Sequence, residues 1–416
     1  MLSALVGTAS GTTTTLATTS ATLPAGTLPE GSGTTSAGTS SGGSTQVFSI
    51  KASDLGDFTG KAPSLTSPAA IVINMSTGRV LYSKKADVRR PMASTTKIMT
   101  AVLSLESLSL DQQVTISQTA AQTPEVKAFL REGDVLTVEQ LLYSMLVHSS
   151  NASAVALAET VAGSVDAFAE RMNAKAAELG MADTHYINPN GLDATGHYST
   201  PTDMAKLGIY AMKIAEFRKI VGTKSYTLNI PGRSAPLVFE NTNKLMVRTT
   251  WVTGIKTGLT PHADQCLVAS GTKNGVSILS VILGQPSTAV CWDESEALLK
   301  YGLSQYRHVS LLDAGVAVAE AGVPYQLDGK IKLVTERKLE MDLHKDDDVT
   351  ASVHVDKQLT LPVQAGERFG QVVLTIGGKT VGSVDLVADK SYAEITLGTK
   401  IAYAWDRFAR WVGGVF

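Results

Sequence analysis

Apolar positions along the chain fall into short runs at two places and into helical spacing between them. Ala70-Ile71-Val72-Ile73 and Arg79-Val80-Leu81-Tyr82 flank Ser76-Thr77-Gly78 and predict a hairpin. Helical periodicity follows from Ser94 to about Leu105 and again over 138–180. Short strands return between 251 and 284, where Gln265–Ser270 and Val276–Leu283 flank the turn Lys273-Asn274-Gly275. Strands at both ends with helices between predict one sheet built from sequence-distant strands against a helical region, an α+β domain over roughly 63–310.

Beyond Val323-Pro324 the texture is all-β. Lys330–Val334, Val349–Val355, and the pair Val372–Ile376 and Val381–Val387 around Gly377-Gly378-Lys379 predict a small sandwich over 318–392. The end of the chain, 395–416, changes again. At 100° per residue, Ile401, Ala404, Trp405, Phe408, Trp411, Val412 and Val415 share one helix face, and Lys400, Tyr403, Asp406, Arg407 and Arg410 share the other. Two Trp, a Phe and Arg suit the headgroup region of a bilayer, so this helix is expected to lie on a membrane surface rather than dock on its own protein.

Residues 1–50 contain no Lys or Arg and one acid, Glu30, and Thr8–Gln46 is built mostly of Thr, Ser, Gly and Ala. Such a stretch buries too little apolar surface to offset its ordering entropy, so 1–62 is expected to be a disordered arm. Its match to a nucleophile elbow, Gly38-Thr39-Ser40-Ser41-Gly42, has no strand before it and no helix after it. Met1–Ala9 lacks the charged start and full apolar stretch of an export signal.

Composition narrows the function. Of 416 residues, 36 are basic and 38 acidic, a net charge of −2 that argues against nucleic-acid binding. Two Cys exclude a disulfide scaffold and a four-Cys zinc site, and no apolar run reaches the roughly 18 residues of a membrane-spanning helix.

The chemistry concentrates at Pro91-Met92-Ala93-Ser94-Thr95-Thr96-Lys97. Ser94 and Lys97 stand three apart at the start of a periodic helix, so both project from one face. A serine hydroxyl needs a base, and a lysine of lowered pKa supplies one. An S-x-x-K alone is weak, and Ser270-Gly271-Thr272-Lys273 is a second match, lying in a hairpin turn. Two further motifs decide between them. Ser149-Ser150-Asn151 offers a hydroxyl and a carboxamide beside helical sequence, and Lys256-Thr257-Gly258 offers a cation, a carboxylate-binding hydroxyl and a residue that lets substrate backbone approach. The ordered set is specific where each member is not.

With these motifs the chain resembles the low-molecular-mass penicillin-binding proteins that act as D-alanyl-D-alanine carboxypeptidases, the S11 family of serine peptidases. The resemblance extends to Arg131-Glu132-Gly133-Asp134, to Asn188-Pro189-Asn190-Gly191-Leu192-Asp193 and to Tyr198-Ser199-Thr200-Pro201-Thr202-Asp203-Met204-Ala205, and covers roughly 63–412. It implies a β-lactamase/transpeptidase-like fold, an antiparallel sheet plus helices, followed by the sandwich and the terminal helix. It also implies that Ser94 attacks the carbonyl between two D-alanines with Lys97 as general base. The N–H groups of Ser94 and Leu259 would form the oxyanion hole, and Ser149, Lys256 and Thr257 would hold the carboxylate and relay protons. Asn151 would orient the substrate amide, and Gly258 would let the substrate lie along the strand. The implied partners are peptidoglycan stem peptides, β-lactam antibiotics and a membrane surface, outside the cytoplasm, with no cofactor and no metal.

The chain departs from that family at three places. Leu259 follows Lys-Thr-Gly where relatives often have His; Ala263-Asp264-Gln265 brings a carboxylate near the site; and 285–292 lacks the Arg that helps relatives bind the substrate carboxylate. Cys266 and Cys291 are expected to be buried and unpaired, His148 to pack, and Asp346-Asp347-Asp348 to form an exposed turn rather than a calcium site. Two alternative functions use the same residues: a catalytically weak wall-peptide-binding or scaffold protein, and a β-lactamase-like hydrolase. For the latter, Glu170-Arg171-Met172-Asn173 has the wrong spacing.

Overall fold

The computed structural model describes residues 5–9, 12–16, 45–52, 58, 60–125, 129–322, 330–355 and 360–413. They form two compact units: Thr59–Gln305, and Met1–Phe58 together with Tyr306–Phe416.

The first unit is built on five strands, β1 (Ala69–Asn74), β2 (Val80–Lys84), β3 (Val252–Thr260), β4 (Asp264–Lys273) and β5 (Val276–Gln285). Their order is β3-β4-β5-β1-β2, antiparallel throughout. The near-continuous apolar run of β5 is buried on both faces. Ile278 packs on Gly302 of one helix, and the next residue, Leu279, packs on Gly208 of another, as side-chain alternation along a strand requires.

The helices are α1 (Lys97–Ser107), α2 (Asn151–Ala162), α3 (Val165–Glu178), α4 (Pro201–Ala211) and α5 (Thr288–Ser304). Every residue of α1 from Lys97 to Ser104 is buried, so α1 is a core helix and not an amphipathic surface one. The periodic stretch over 138–180 is interrupted. Val138–Tyr143 runs into a π-helical turn, Ser144–His148, and Ser149 takes a left-handed conformation at φ 75°. Ser150 then caps α2, its hydroxyl accepting from Ser153 N at 3.1 Å. Gly163, also left-handed, ends α2 before α3 begins.

The β-unit differs from expectation at both edges. It begins at Tyr306 rather than 318, because Tyr306–Leu312 pairs with Leu339–His344 and adds Val309, Leu311, Leu339 and Leu343 to the apolar core. The six-stranded sheet of this unit runs Ala317–Gly322, Lys330–Thr335, Lys379–Ala388, Arg368–Ile376, Asp348–Val355 and finally Thr45–Lys51.

That last strand corrects the reading of 1–62 as a uniformly disordered arm. Phe48 and Ile50 face the core while Val47 and Ser49 face outward, a period-two pattern at the end of the polar stretch. Its pairing, His354↔Thr45 through Asp348↔Lys51, covers what would otherwise be a bare sheet edge. Leu5–Ala9 and Thr12–Leu16 form a second departure, an antiparallel pair in which β-branched Thr supports extended backbone. Gly38–Gly42 lies outside the described residues.

A final helix, α6, spans Leu397–Gly413. Leu397, Ile401, Trp405 and Phe408 are 75%, 63%, 70% and 53% exposed. No single helix among the described residues is long and apolar enough to cross a membrane.

Because Ile50 is buried in a strand that composition alone assigns to the arm, Ile50→Ala is expected to cost about 2–4 kcal/mol of unfolding free energy. Urea denaturation of the full chain measures it, and a change below about 0.5 kcal/mol, the range of surface substitutions, would show that the strand is not docked.

Candidate active site

Ser94 lies in a single 3₁₀ turn, Ala93–Thr96, that leads directly into α1. Ala93 has φ 48°, a left-handed conformation that is costly for a residue with a Cβ. It aims Ser94 out of the helix start, while Lys97, one turn on, is fully buried beneath it.

The amine of Lys97 has three neighbours, each at 2.7 Å: Ser94 Oγ, Asn151 Oδ1 and the backbone carbonyl of Asn190. Asn151 is oriented by its other end, Nδ2 donating to the Pro124 carbonyl at 2.7 Å, so the oxygen faces the lysine. Burial, reinforced by the positive charge of Lys256, holds the Lys97 amine well below the usual lysine range, and Glu125 opposes that shift. In its neutral form the amine has two protons and one lone pair. The two carbonyl oxygens can only accept, so they take the protons, and the lone pair is left for the Ser94 hydroxyl.

The second cation sits on β3, the edge strand of the sheet. Lys256 is buried and donates to Ser149 Oγ and to the Thr257 carbonyl, both at 3.0 Å. Burial brings its pKa down to about 7. Thr257 Oγ1 donates to Thr242 Oγ1 at 2.8 Å. Leu259, 63% exposed, pairs with Gln265 on the inner side of the strand. The motif Ser149-Ser150-Asn151 thus divides its work: Ser149 meets Lys256, Ser150 caps α2 and Asn151 meets Lys97.

Two glycines set how closely these pieces approach. A Cβ on Gly258 would lie 2.9 Å from both Ser94 N and Ala93 Cβ and 3.1 Å from the Met92 carbonyl. One on Gly191, at φ 85°, would lie 2.0 Å from the Ala93 carbonyl oxygen. The turn that carries Ser94 is held between β3 on one side and the Asn188–Asp193 loop on the other.

The sequence marks that loop as part of the family resemblance but gives no role to its backbone, which supplies a carbonyl to Lys97. Asn188 Oδ1 accepts from Gly191 N at 2.7 Å and Nδ2 donates to the Leu192 carbonyl at 2.9 Å, which turns the Asn190 carbonyl toward Lys97. Thr100 Oγ1 fastens the loop to α1 through the Pro189 carbonyl at 2.6 Å. Asp193 fastens it to the end of β3, accepting from Thr260 Oγ1 at 2.6 Å and lying 2.9 Å from His262 Nδ1. His197 accepts from Ile187 N at Nδ1 and therefore donates from Nε2 to Thr96 Oγ1, at 2.8 Å. Burial and the nearby His185 bring its pKa to about 4, so it stays neutral and keeps that bond. The repeat of Asn in Asn188-Pro189-Asn190, followed by Gly191, marks a turn in the sequence, but not that its carbonyl meets Lys97.

The remaining candidates fall outside the reacting cluster. His148 stacks on Phe239 with centroids 4.3 Å apart. Cys266 and Cys291 are buried free thiols, each pushed up to about 12, chiefly by burial. Ser270 Oγ bonds Thr253 Oγ1, away from the turn that carries Lys273. Asn173 holds the backbone of Tyr186 at both N–H and C=O. In the turn at Asp346–Asp348, Asp347 Oδ2 accepts from His344 N. Gln285, the first residue of the segment 285–292 that lacks an Arg, is buried and donates to Thr66 Oγ1 and Ser67 Oγ at 3.0 Å beside Glu294.

A serine hydroxyl 2.7 Å from the amine of a buried lysine, beside an edge strand that carries a second buried lysine, is an arrangement suited to acyl transfer of the serine–lysine kind. Comparison with known proteins specifies it. A family model described as D-alanyl-D-alanine carboxypeptidase matches residues 57–287, and one described as the C-terminal domain of penicillin-binding protein 5 matches 306–394. The D-alanyl-D-alanine carboxypeptidase DacF of Bacillus subtilis is 31% identical over 352 residues, covering 82% of this chain and 90% of that protein. Among solved structures, the carboxypeptidase DacD of Francisella tularensis aligns over 80% of this chain and 95% of its own, with 27% identity and a TM-score of 0.59. Penicillin-binding protein 5 of Haemophilus influenzae covers 80% and 99%, with 30% identity and a TM-score of 0.58. The chain belongs to the D-alanyl-D-alanine carboxypeptidase family, the low-molecular-mass penicillin-binding proteins, and is a serine-type hydrolase of that family.

Since β3 touches the nucleophile turn at Gly258, Gly258→Ala is expected to push the strand away from Ser94. Acylation by a fluorescent penicillin should slow about 100-fold, the usual consequence of misplacing reacting groups by about 1 Å. An unchanged acylation rate constant in stopped-flow or gel-based labelling would mean that β3 does not position the reacting carbonyl.

Proposed function

We propose that Ser94 is the nucleophile, Lys97 its general base, and β3 the rail along which a peptidoglycan stem peptide binds. The observation that carries this reading is the Lys97 amine, with two obligate acceptors and one hydroxyl at 2.7 Å. Ser94 Oγ attacks the carbonyl between the two D-alanines and gives its proton to Lys97. The N–H groups of Ser94 and Leu259 receive the developing oxyanion, an interaction worth about 2.7–4 kcal/mol per donor. Ser149, bonded to Lys256, relays to the leaving amine the proton that Lys97 took from Ser94, so Ser149 keeps its own proton count and Lys97 is neutral again. The terminal D-alanine departs, and water then hydrolyses the ester on Ser94. Lys256 and Thr257 face the terminal carboxylate, whereas Asn151, expected from the sequence to orient the substrate amide, has its carboxamide engaged by Lys97 and Pro124 and acts on the base instead. A β-lactam presents a strained amide and a carboxylate in the same relation, so it acylates Ser94 by the same first step.

The open edge of β3 supports this reading, since an extended peptide adds to a sheet edge through its main chain. The exposed apolar side chains of α6 support a second element, docking of that helix on the outer face of the cytoplasmic membrane, where the substrate is found.

Two measurements test these readings. D-Alanine release from diacetyl-Lys-D-Ala-D-Ala should fall by at least about 1,000-fold in Ser94→Ala, as loss of an activated nucleophile does. Retained release would remove Ser94 from the mechanism. For α6, replacing Trp405 and Phe408 together by Ala should cut co-sedimentation with anionic phospholipid vesicles about tenfold or more. Equal sedimentation of both proteins would exclude α6 as the anchor.

A further inference from the structure

Glu125 belongs to none of the three motifs, yet its carboxylate reaches the residue that orients Lys97. Oε2 accepts from Asn151 N at 2.7 Å, from Ser150 Oγ at 3.1 Å and from Ala152 N at 3.4 Å. The preceding residue, Pro124, takes the side-chain amide of the same Asn151 at 2.7 Å. Two consecutive residues therefore hold Asn151 at its main chain and at its side chain, and only Oδ1 is left, facing Lys97 at 2.7 Å.

We propose that Glu125 is a positioning residue of this active site, the fixed counter-charge that sets Asn151 and, through it, the amine of Lys97. A cap alone would not require a carboxylate, because Ser150 already caps α2 through Ser153 N. The second oxygen, Oε1, is buried and has no hydrogen-bond partner among the described residues, a costly state for a carboxylate that serves only to close a helix end. The groups facing Lys97 are Ser94 on its own turn, Asn151 on α2, Asn190 on its loop, Lys256 on β3 and Glu125. Of these, Lys256 in its protonated form and Glu125 act in opposite directions on the Lys97 amine.

The inference rests on Lys97 being the base, and its test separates the two. The readout is the pH dependence of acylation of the full chain by a fluorescent penicillin, for wild type, Glu125→Gln, Glu125→Asp and Lys97→Ala. Lys97 acts when neutral, so acylation rises with pH as it loses its proton. Glu125 favours the protonated form, and Gln keeps an acceptor for Asn151 N but removes the charge. The acid limb of Glu125→Gln should therefore move to lower pH. The ratio of its rate constant at about pH 6 to that at about pH 8 should rise about threefold or more over wild type. Glu125→Asp should keep the wild-type limb. A limb in the wild-type position for Glu125→Gln, or one moved upward, overturns the proposal and leaves Glu125 as a cap. If Glu125→Gln does not fold, Glu125→Ser, also an uncharged acceptor, supplies the same comparison. Acylation persisting in Lys97→Ala would instead overturn the reading of Lys97, which is a separate outcome.

Discussion

The site depends on keeping an amine neutral at the N-terminal end of a core helix. A buried lysine is costly as a cation and useful as a base, and the same burial produces both effects. Lys97 is surrounded so that its neutral form is fully hydrogen-bonded: two carbonyl oxygens take its protons and one hydroxyl meets its lone pair. Protonation would add a third N–H that only Ser94 Oγ could receive, reversing the bond that activates the nucleophile. The rest of the unit can be read as the means of holding those three oxygens in place. Asn151 comes from the start of α2, Asn190 from a turn built by Asn188, and Ser94 from a strained turn at Ala93.

Holding three oxygens from distant segments at one point requires the segments to approach more closely than side chains normally permit. Gly258 and Gly191 mark the two faces of the nucleophile turn where a Cβ has no room. Across the outer end of β3, Asp193 joins the loop to Thr260 and His262, so the element that carries Leu259 N–H is tied to the element that carries the Asn190 carbonyl. Hydrogen bonds to Thr260 and His262 outweigh partial burial and hold the Asp193 carboxyl below the usual carboxylate range, as an acceptor-only group in this position requires. The Leu259 N–H and the Lys97 amine, the proposed oxyanion donor and base, are thereby positioned relative to each other.

How much of this could be read from the residues follows from distance along the chain. Ser94 and Lys97 are three apart on one helix face, so their contact follows from helix geometry. Ser149, Asn151 and Lys256 were recognisable by type and order, but their pairings, Ser149 with Lys256 and Asn151 with Lys97, are set by tertiary structure. The Asn190 carbonyl is a backbone group and has no sequence signature beyond its turn. Glu125 resembles any acidic residue in a polar loop until α2 begins beside it. Strands failed in a different way. Thr45–Lys51 was absorbed into a Thr/Ser-rich segment because seven residues at its end weigh little in a composition of about fifty. The alternation of Phe48 and Ile50 was visible, but the partner edge at Asp348–Val355 lies some three hundred residues away.

The absence of Arg in 285–292 acquires a physical meaning once the surroundings of Gln285 are known. Gln285, the first residue of that segment, directs its amide to Thr66, Ser67 and Glu294, and none of 285–292 is a cation. The cation available on the rail is then Lys256, and its burial alters what one charge can do. In a low-dielectric setting an ion pair is stronger than at an exposed guanidinium, but the amine must be protonated to form it. With a pKa near 7, Lys256 is poised between its two forms, and an arriving carboxylate favours the charged one. A charged Lys256 in turn disfavours the proton on Lys97. On the reading that Lys256 receives the terminal carboxylate, the contact that holds the substrate also fixes Lys256 in its charged form, and no arginine is needed to supply that cation.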